Sequence, residues 1–158
     1  MRKNRARREG TILIVEDDQK IMNIIDRLLS GEGYATIKAE SGAHAMQMAA
    51  RVKPDVVILD LKLPDFSGIQ VLGKLKAMDE TVQVIILTAH GSKASVRSAM
   101  EFGALNFLTK PFEFHELCEA VRDALEPLGI EITESHLDPE DLFWKIRHAE
   151  ERMGKKKK

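Results

Sequence analysis

The strongest constraint on the fold is an alternation, along the first 125 residues, of short apolar runs with longer amphipathic segments. Three of the runs are continuously apolar and rich in β-branched residues, as strands covered on both faces are: Thr11–Val15, Val56–Leu59 and Val82–Leu87. Weaker strand patterns occur at Tyr34–Ala39 and Asn106–Thr109. The sequence therefore predicts five strands.

Each predicted strand is followed by a segment with apolar residues at helical spacing. The predicted helices are Gln19–Leu29, a helix from the N-cap Ser41 to about Arg51, Gly68–Met78, Ser92–Phe102 and Glu113–Leu125. In the first helix the predicted apolar stripe is Ile21, Ile24, Ile25, Leu28 and Leu29, and in the third it is Ile69, Leu72 and Leu75. Strands alternating with helices imply right-handed crossovers and a parallel sheet covered on both faces. We therefore expect a doubly wound α/β fold.

The pattern changes after Pro127. Residues 128–137 are loop-like, whereas Asp138 and the following proline are typical of a helix start. A helix is predicted over about 139–153, and four lysines follow it. We expect this C-terminal extension, 127–158, to pack its helix back on the domain. A dimerising or signalling helix and a disordered stub of a missing output domain are the alternatives.

Charge and composition exclude several classes of protein. Both ends are basic: the N-terminal tail, residues 1–10, carries five Lys or Arg, while residues 10–154 hold fifteen bases against twenty-four acids. Neither basic end contains an aromatic residue to stack on bases, so nucleic-acid binding is not expected. The lone Cys118 excludes a disulfide scaffold, and no run approaches 18 apolar residues. A soluble cytoplasmic protein without a membrane partner is expected.

Polar residues follow the predicted strands at one common edge of the sheet. In a parallel α/β sheet, ligands bind at the carboxyl ends of the strands. The residues at these ends are Glu16, Asp17 and Asp18 after the first strand, Asp60 after the third, Thr88 after the fourth and Lys110 after the fifth. One acid at a strand end is commonly a helix cap, but acids, a hydroxyl and a lysine from four strand ends indicate a functional site.

The charges of these residues predict its chemistry. Carboxylates brought together repel one another unless a cation binds between them, and oxygen ligands suit Mg²⁺. With Mg²⁺ bound, Asp60 stays ionised and can attack a phosphoryl donor. Lys110 and the metal would stabilise the charge on the phosphoryl oxygens, and the Thr88 hydroxyl would donate to one of them. The predicted product is an aspartyl phosphate.

Four motifs resemble the receiver domain of two-component response regulators, the CheY-like fold. They are Ile12–Asp17, Asp60–Gly68, Leu87–Ala89 and Phe107–Phe112. The resemblance covers about Thr11 to Leu125. It implies five parallel strands in the order 2-1-3-4-5, five helices, and a receiver domain over residues 11–126.

The resemblance implies a metal site. Asp60 would be the phosphoacceptor and a metal ligand, Asp17 a direct Mg²⁺ ligand, and Glu16 a ligand through water. The backbone carbonyl of Lys62 would supply another metal oxygen. Asp18 does not match the family's metal positions, so it is expected to cap the first helix.

The resemblance also implies a phosphoryl site and a switch. Lys110 would pair with the phosphoryl group, and the backbone N–H groups of Leu61 and Ala89 would help to hold it. Thr88 would move toward the phosphoryl group and let the aromatic Phe107 swing inward. This would repack the face formed by the fourth helix, the fifth strand and the fifth helix, written α4-β5-α5.

The expected function is that of a phosphoacceptor response regulator, not a turnover enzyme. It would take a phosphoryl group from a histidine kinase or histidine phosphotransfer protein and control a downstream protein, or its own homodimerisation, through the α4-β5-α5 face. One alternative is a receiver domain excised from a longer regulator. Another is an aspartyl-nucleophile phosphohydrolase, although that chemistry usually has a second acid where this chain has Lys62.

Overall fold

A computed structural model of the chain describes residues 10–89 and 93–126. Within these residues, five parallel strands form one sheet in the order β2-β1-β3-β4-β5. The strands are β1 Thr11–Val15, β2 Ala35–Ala39, β3 Val56–Asp60, β4 Gln83–Thr88 and β5 Asn106–Thr109. The predicted fold class and strand order are confirmed.

Five helices cover the two faces of the sheet. They are α1 Gln19–Gly31, α2 Gly42–Val52, α3 Gly68–Met78, α4 Lys93–Glu101 and α5 Phe114–Leu125. Helices α1 and α5 pack on one face and share one apolar core, whereas α2, α3 and α4 pack on the other face and share a second core. The fold is therefore a three-layer α/β/α sandwich.

The two cores explain the continuously apolar strands. Successive residues of a strand point to opposite faces, so a strand between two helical layers must be apolar at every position. In β1, Ile12 and Ile14 enter the core beneath α1 and α5, while Leu13 and Val15 enter the core beneath α2 and α3. All four side chains are fully buried.

The predicted apolar stripe of α1 is only partly correct. Ile25 and Leu29 are buried as expected, but the third buried residue is Met22, and Ile24 is 55% exposed. Positions 22, 25 and 29 are separated by three and four residues and so lie on one helix face. Ile24 lies outside this face, because the orientation of the helix places Met22, and not Ile24, against the sheet.

The helix starts follow the predicted caps. Asp18 caps α1 by accepting hydrogen bonds from the backbone N–H groups of Lys20 and Ile21, at 2.9 and 3.3 Å. Ser41 caps α2 through its hydroxyl. The predicted helix at 139–153, both basic ends and Ser92 lie outside the described residues. Among the helices that the structure describes, none is long and apolar enough to span a membrane.

Candidate functional site

The carboxyl ends of four strands meet around one cavity of about 740 Å³. All of the residues predicted at this edge line the cavity. The lining residues are Glu16, Asp17, Asp18, Ile21, Asp60, Leu61, Lys62, Leu63, Pro64, Thr88, Ala89, Ser95 and Lys110. The parallel sheet brings them together because every strand ends at the same edge.

Three carboxylates form an acidic cluster in this cavity. Glu16, Asp17 and Asp60 each offer one oxygen, and these oxygens lie within 4.8 Å of one another. Glu16 is fully buried and Asp60 is 5% exposed, whereas Asp17 is exposed. The backbone N–H of Asp17 donates to Glu16 Oε2 at 3.0 Å, which fixes the buried carboxylate at the end of β1.

Lys110 neutralises part of this negative charge. Its ammonium contacts Glu16 Oε1 and lies 3.1 Å from Asp60 Oδ2. Burial, followed by the neighbouring Asp60, raises the pKa of Glu16 to about 8. Burial acts to lower the pKa of Lys110, but its contacts with Glu16 and Asp60 outweigh that effect and raise the pKa. The backbone of Lys110 is held by its N–H bond to Thr88 O at 2.8 Å.

The amide directed at Asp60 is that of Lys62. The Lys62 N–H donates to Asp60 Oδ1 at 3.0 Å, while the side chain of Lys62 is exposed. The Leu61 N–H, which was expected to hold a phosphoryl group, instead donates to Leu87 O at 3.2 Å. This is the last hydrogen bond between the β3 segment and β4, and the loop begins after it. In this structure the Leu61 N–H is thus used within the sheet, whereas the Lys62 N–H is directed at Asp60.

The two predicted switch residues lie on neighbouring strands. Thr88 is the last residue of β4 and is 5% exposed beside the cavity, with Ala89 exposed after it. Phe107 is 36% exposed on β5, paired in register with Ile86. In this structure the ring of Phe107 therefore lies at the surface.

The donor set fits a hard divalent cation. Mg²⁺ prefers oxygen ligands from carboxylates, backbone carbonyls and water, and the open cavity leaves room for water. The cluster of Glu16, Asp17 and Asp60 contains no histidine or cysteine that would favour zinc. Sequence reasoning missed Ile21, Leu63, Pro64 and Ser95 in the cavity wall. No charge pattern marks the first three, and a serine in the first turn of a helix carries no distinctive signal.

The fold and this site define a class of protein: a CheY-like α/β domain with an acidic pocket at the carboxyl edge of its sheet. Residues 12–122 match the response regulator receiver domain family. The chain therefore belongs to this family, the receiver domains of two-component signalling.

Curated relatives and solved structures are consistent with this assignment. The chain is 38% identical over 114 residues to sporulation initiation phosphotransferase F of Bacillus subtilis, covering 72% of this chain and 92% of that protein. It is 40% identical over 114 residues to the transcriptional regulatory protein KdpE of Mycobacterium tuberculosis, covering 72% of this chain and 50% of that one. The signal receiver domain of a Luxo repressor protein from Vibrio parahaemolyticus matches with a TM-score of 0.72 and 36% identity, covering 76% and 92% of the two chains.

The relatives differ in length. The chain spans nearly all of the phosphotransferase, about half of KdpE, and 26% of the transcriptional regulatory protein GlrR of Escherichia coli, to which it is 38% identical over 73% of its own length.

Receiver domains are signalling domains that bind Mg²⁺ at an acidic pocket and interact with histidine kinases and downstream effectors. The acidic cluster of this chain lies where such a pocket is expected.

Proposed function

We propose that the chain is a phosphoacceptor that carries a phosphoryl group on Asp60. The observation that carries this proposal is the contact of the Lys110 ammonium with two buried carboxylates, Glu16 and Asp60, in an open cavity. A structural ion pair has no need of three carboxylates, since the third adds repulsion. A site that must hold a cation and a phosphoryl group needs that excess of negative charge.

The reaction is an in-line transfer to the Asp60 carboxylate. An oxygen of Asp60 bonds to phosphorus, while the bond from phosphorus to the imidazole nitrogen of a phosphohistidine donor breaks and the imidazole leaves. Lys110 is already 3.1 Å from Asp60 Oδ2, so its ammonium can donate to a phosphoryl oxygen on the same side. The Lys62 and Ala89 N–H groups and the Thr88 hydroxyl supply further donors around it.

Three side chains and one backbone group would hold Mg²⁺. Asp17 and Asp60 are proposed as direct ligands, Glu16 as a ligand through water, and Lys62 as the donor of a carbonyl oxygen. The metal would supply positive charge that separates the carboxylates and stabilises the phosphoryl oxygens. Lys110 remains essential beside it, because its ammonium already contacts both Glu16 and Asp60.

The output surface is proposed to be the α4-β5-α5 face. Thr88 lies at the cavity and Phe107 lies at the surface of the adjacent strand β5, so a movement of Thr88 can free space for the ring. Phe107 has no hydroxyl, and packing alone would favour its inward position. The downstream partner is proposed to be a protein or a second copy of the chain.

Incubation with Mg²⁺ and acetyl phosphate, followed by intact mass measurement, tests the proposal. A single phosphoryl adduct that hydroxylamine removes is expected for the wild type, and none for Asp60→Asn. Glu80→Gln is the matched control, because Glu80 is an exposed carboxylate at the opposite edge of the sheet. An adduct that persists in Asp60→Asn would place the phosphoryl group elsewhere, and steady phosphate release from simple monoesters would indicate a phosphohydrolase.

A further inference from the structure

The loop between β3 and α3, residues 61–67, is closed tightly at its base. The Gly68 N–H donates to Leu61 O at 2.8 Å, and Lys62 and Ser67 form an antiparallel bridge. The Lys62 N–H reaches back to Asp60 Oδ1 at 3.0 Å. The proposed phosphoacceptor is therefore connected directly to the base of this loop.

The tip of the same loop is bound to a different helix. Asp65 Oδ1 accepts a hydrogen bond from the Gly42 N–H at 2.8 Å, and Asp65 Oδ2 accepts one from the Ala43 N–H at 2.9 Å. The Phe66 N–H also donates to Asp65 Oδ1, at 2.9 Å. The Gly42 and Ala43 amides belong to the first turn of α2, whose N–H groups have no partner within the helix and attract negative charge. The hydrogen bonds, with that from Ala43 first, lower the pKa of Asp65.

Close packing keeps the two segments together. A Cβ atom at Gly42 would lie 2.7 Å from Phe66 Cδ2 and 2.9 Å from Val71 Cγ2, so a larger residue there would force these side chains to move. Phe66 is half-buried against the core beneath α2 and α3, and Lys74 Nζ lies 4.8 Å from the centre of its ring. The loop tip is thus fixed by apolar contact as well as by the carboxylate.

We propose that Asp65 is a positioning residue that latches the β3–α3 loop onto α2 and so pre-orders the Lys62 carbonyl and the Asp60 carboxylate for the cation. The inference rests on the proposed function and adds to it the residue that holds the loop. Without the latch, the loop becomes ordered only when the cation binds. The entropic cost of that ordering makes the binding free energy less favourable. Linkage requires the reverse effect as well: cation binding must strengthen the hydrogen bonds of Asp65 to Gly42 and Ala43.

Ser41 provides a matched control. Its hydroxyl accepts a hydrogen bond from the His44 N–H at 3.1 Å and caps the same helix, but Ser41 does not belong to the loop. Ser41→Ala and Asp65→Asn each remove a cap from α2, so both should lower the melting temperature. Only Asp65→Asn should change the site, because its amide nitrogen would face the Ala43 N–H, donor against donor.

The test is an NMR titration of the whole 158-residue chain of each variant with Mg²⁺, combined with amide hydrogen exchange. We expect Asp65→Asn to weaken Mg²⁺ binding roughly 10-fold, as loss of a group that orients metal ligands does. Ser41→Ala should leave it within about twofold of wild type, since the Ser41 hydroxyl caps α2 by accepting from the His44 N–H, within that helix. In the wild type, Mg²⁺ should slow exchange of the Gly42 and Ala43 amides. In Asp65→Asn that slowing should disappear.

A second variant protects the test against poor folding of Asp65→Asn. Ala43→Pro removes the N–H that reaches Asp65 Oδ2 while keeping the Asp65 side chain, and proline is tolerated in the first turn of a helix. It too should weaken Mg²⁺ binding. Equal Mg²⁺ affinity in the wild type and both latch variants would overturn the latch, as would an equal loss in Ser41→Ala. Normal Mg²⁺ binding without an Asp60 adduct in the wild type would overturn the proposed function and leave the latch standing.

Discussion

At the scale of single residues, Lys110 supplies a cation that stabilises the buried acidic cluster. Glu16 is fully buried and Asp60 nearly so, and a buried carboxylate without a partner is costly. The ammonium of Lys110 contacts both. Removing one partner of a buried ion pair is more damaging than replacing the whole pair, since it leaves the other charge uncompensated. Lys110 therefore has a structural role in addition to its proposed role in transfer.

We predict that Lys110→Ala lowers the metal-free stability by about 3 kcal/mol and slows phosphorylation by acetyl phosphate roughly 100-fold, as loss of a charge-stabilising donor does. Mg²⁺ should restore part of the lost stability, because it can separate the carboxylates instead. Urea denaturation with and without Mg²⁺, and intact mass against time, measure the two effects. Lys20→Ala, which removes an exposed lysine at the start of α1, is the control. If Lys110→Ala were as stable as Lys20→Ala, the prediction would be contradicted.

At the scale of the elements, the start of α3 is set by how closely it approaches β3. A Cβ atom at Gly68 would lie 2.5 Å from Asp60 O and would also contact Leu61 Cα. Backbone atoms cannot move aside as a flexible side chain can. The proposed phosphoacceptor strand and the helix that follows it are thus in direct backbone contact, and glycine is the residue that permits it.

We predict opposite effects of one substitution at two positions of α3. Gly68→Ala should lower the free energy of unfolding by about 2 kcal/mol, because the added methyl group overpacks against the Asp60–Leu61 backbone. Gly73→Ala should raise it by about 0.5 kcal/mol, since alanine is the better helix former and a Cβ there meets nothing within 4 Å. Denaturant unfolding measures both, and a Gly68→Ala protein as stable as wild type would refute the close contact.

The elements also mark what could be predicted from sequence. Strands such as β1 and β3 were predictable because burial on both faces leaves a continuous apolar run. The helices were predictable, but the buried face of α1 was not, since Met22 and Ile24 are both apolar and only the sheet's position selects between them. The site residues were predictable as a group, because the carboxyl ends of parallel strands converge.

The contacts between segments distant in sequence were not predictable. That Asp65 would bind the start of α2 depends on how α2 and α3 pack together, and nothing near Asp65 in the sequence indicates α2 as its partner. The direction of the Leu61 N–H depends on where β3 stops pairing with β4. Such contacts are set by the tertiary arrangement, so a local pattern contains no information about them.

At the scale of the whole molecule, exposed apolar side chains are concentrated near one end of the chain's described part. Of the eight large apolar side chains exposed among the described residues, five lie between Met100 and Phe114: Met100, Phe102, Leu105, Phe107 and Phe114. This span includes the end of α4, all of β5, the lysine of the site and the start of α5. Lys110, at the site, and Phe107, on the exposed apolar surface, are therefore separated by only three positions along the chain.

We predict that a phosphoryl group on Asp60 changes the self-association of the chain through this surface. Movement of Thr88 and Phe107 would rearrange exposed apolar side chains, which bury favourably against a second copy. Sedimentation velocity with Mg²⁺ and beryllofluoride, a phosphoryl mimic, should show concentration-dependent association that is absent without the mimic. Phe102→Glu should abolish it. Ile24→Glu should not, because Ile24 has the same 55% exposure but lies on α1, which is outside the α4-β5-α5 face. Identical sedimentation of the wild type with and without the mimic would contradict this prediction.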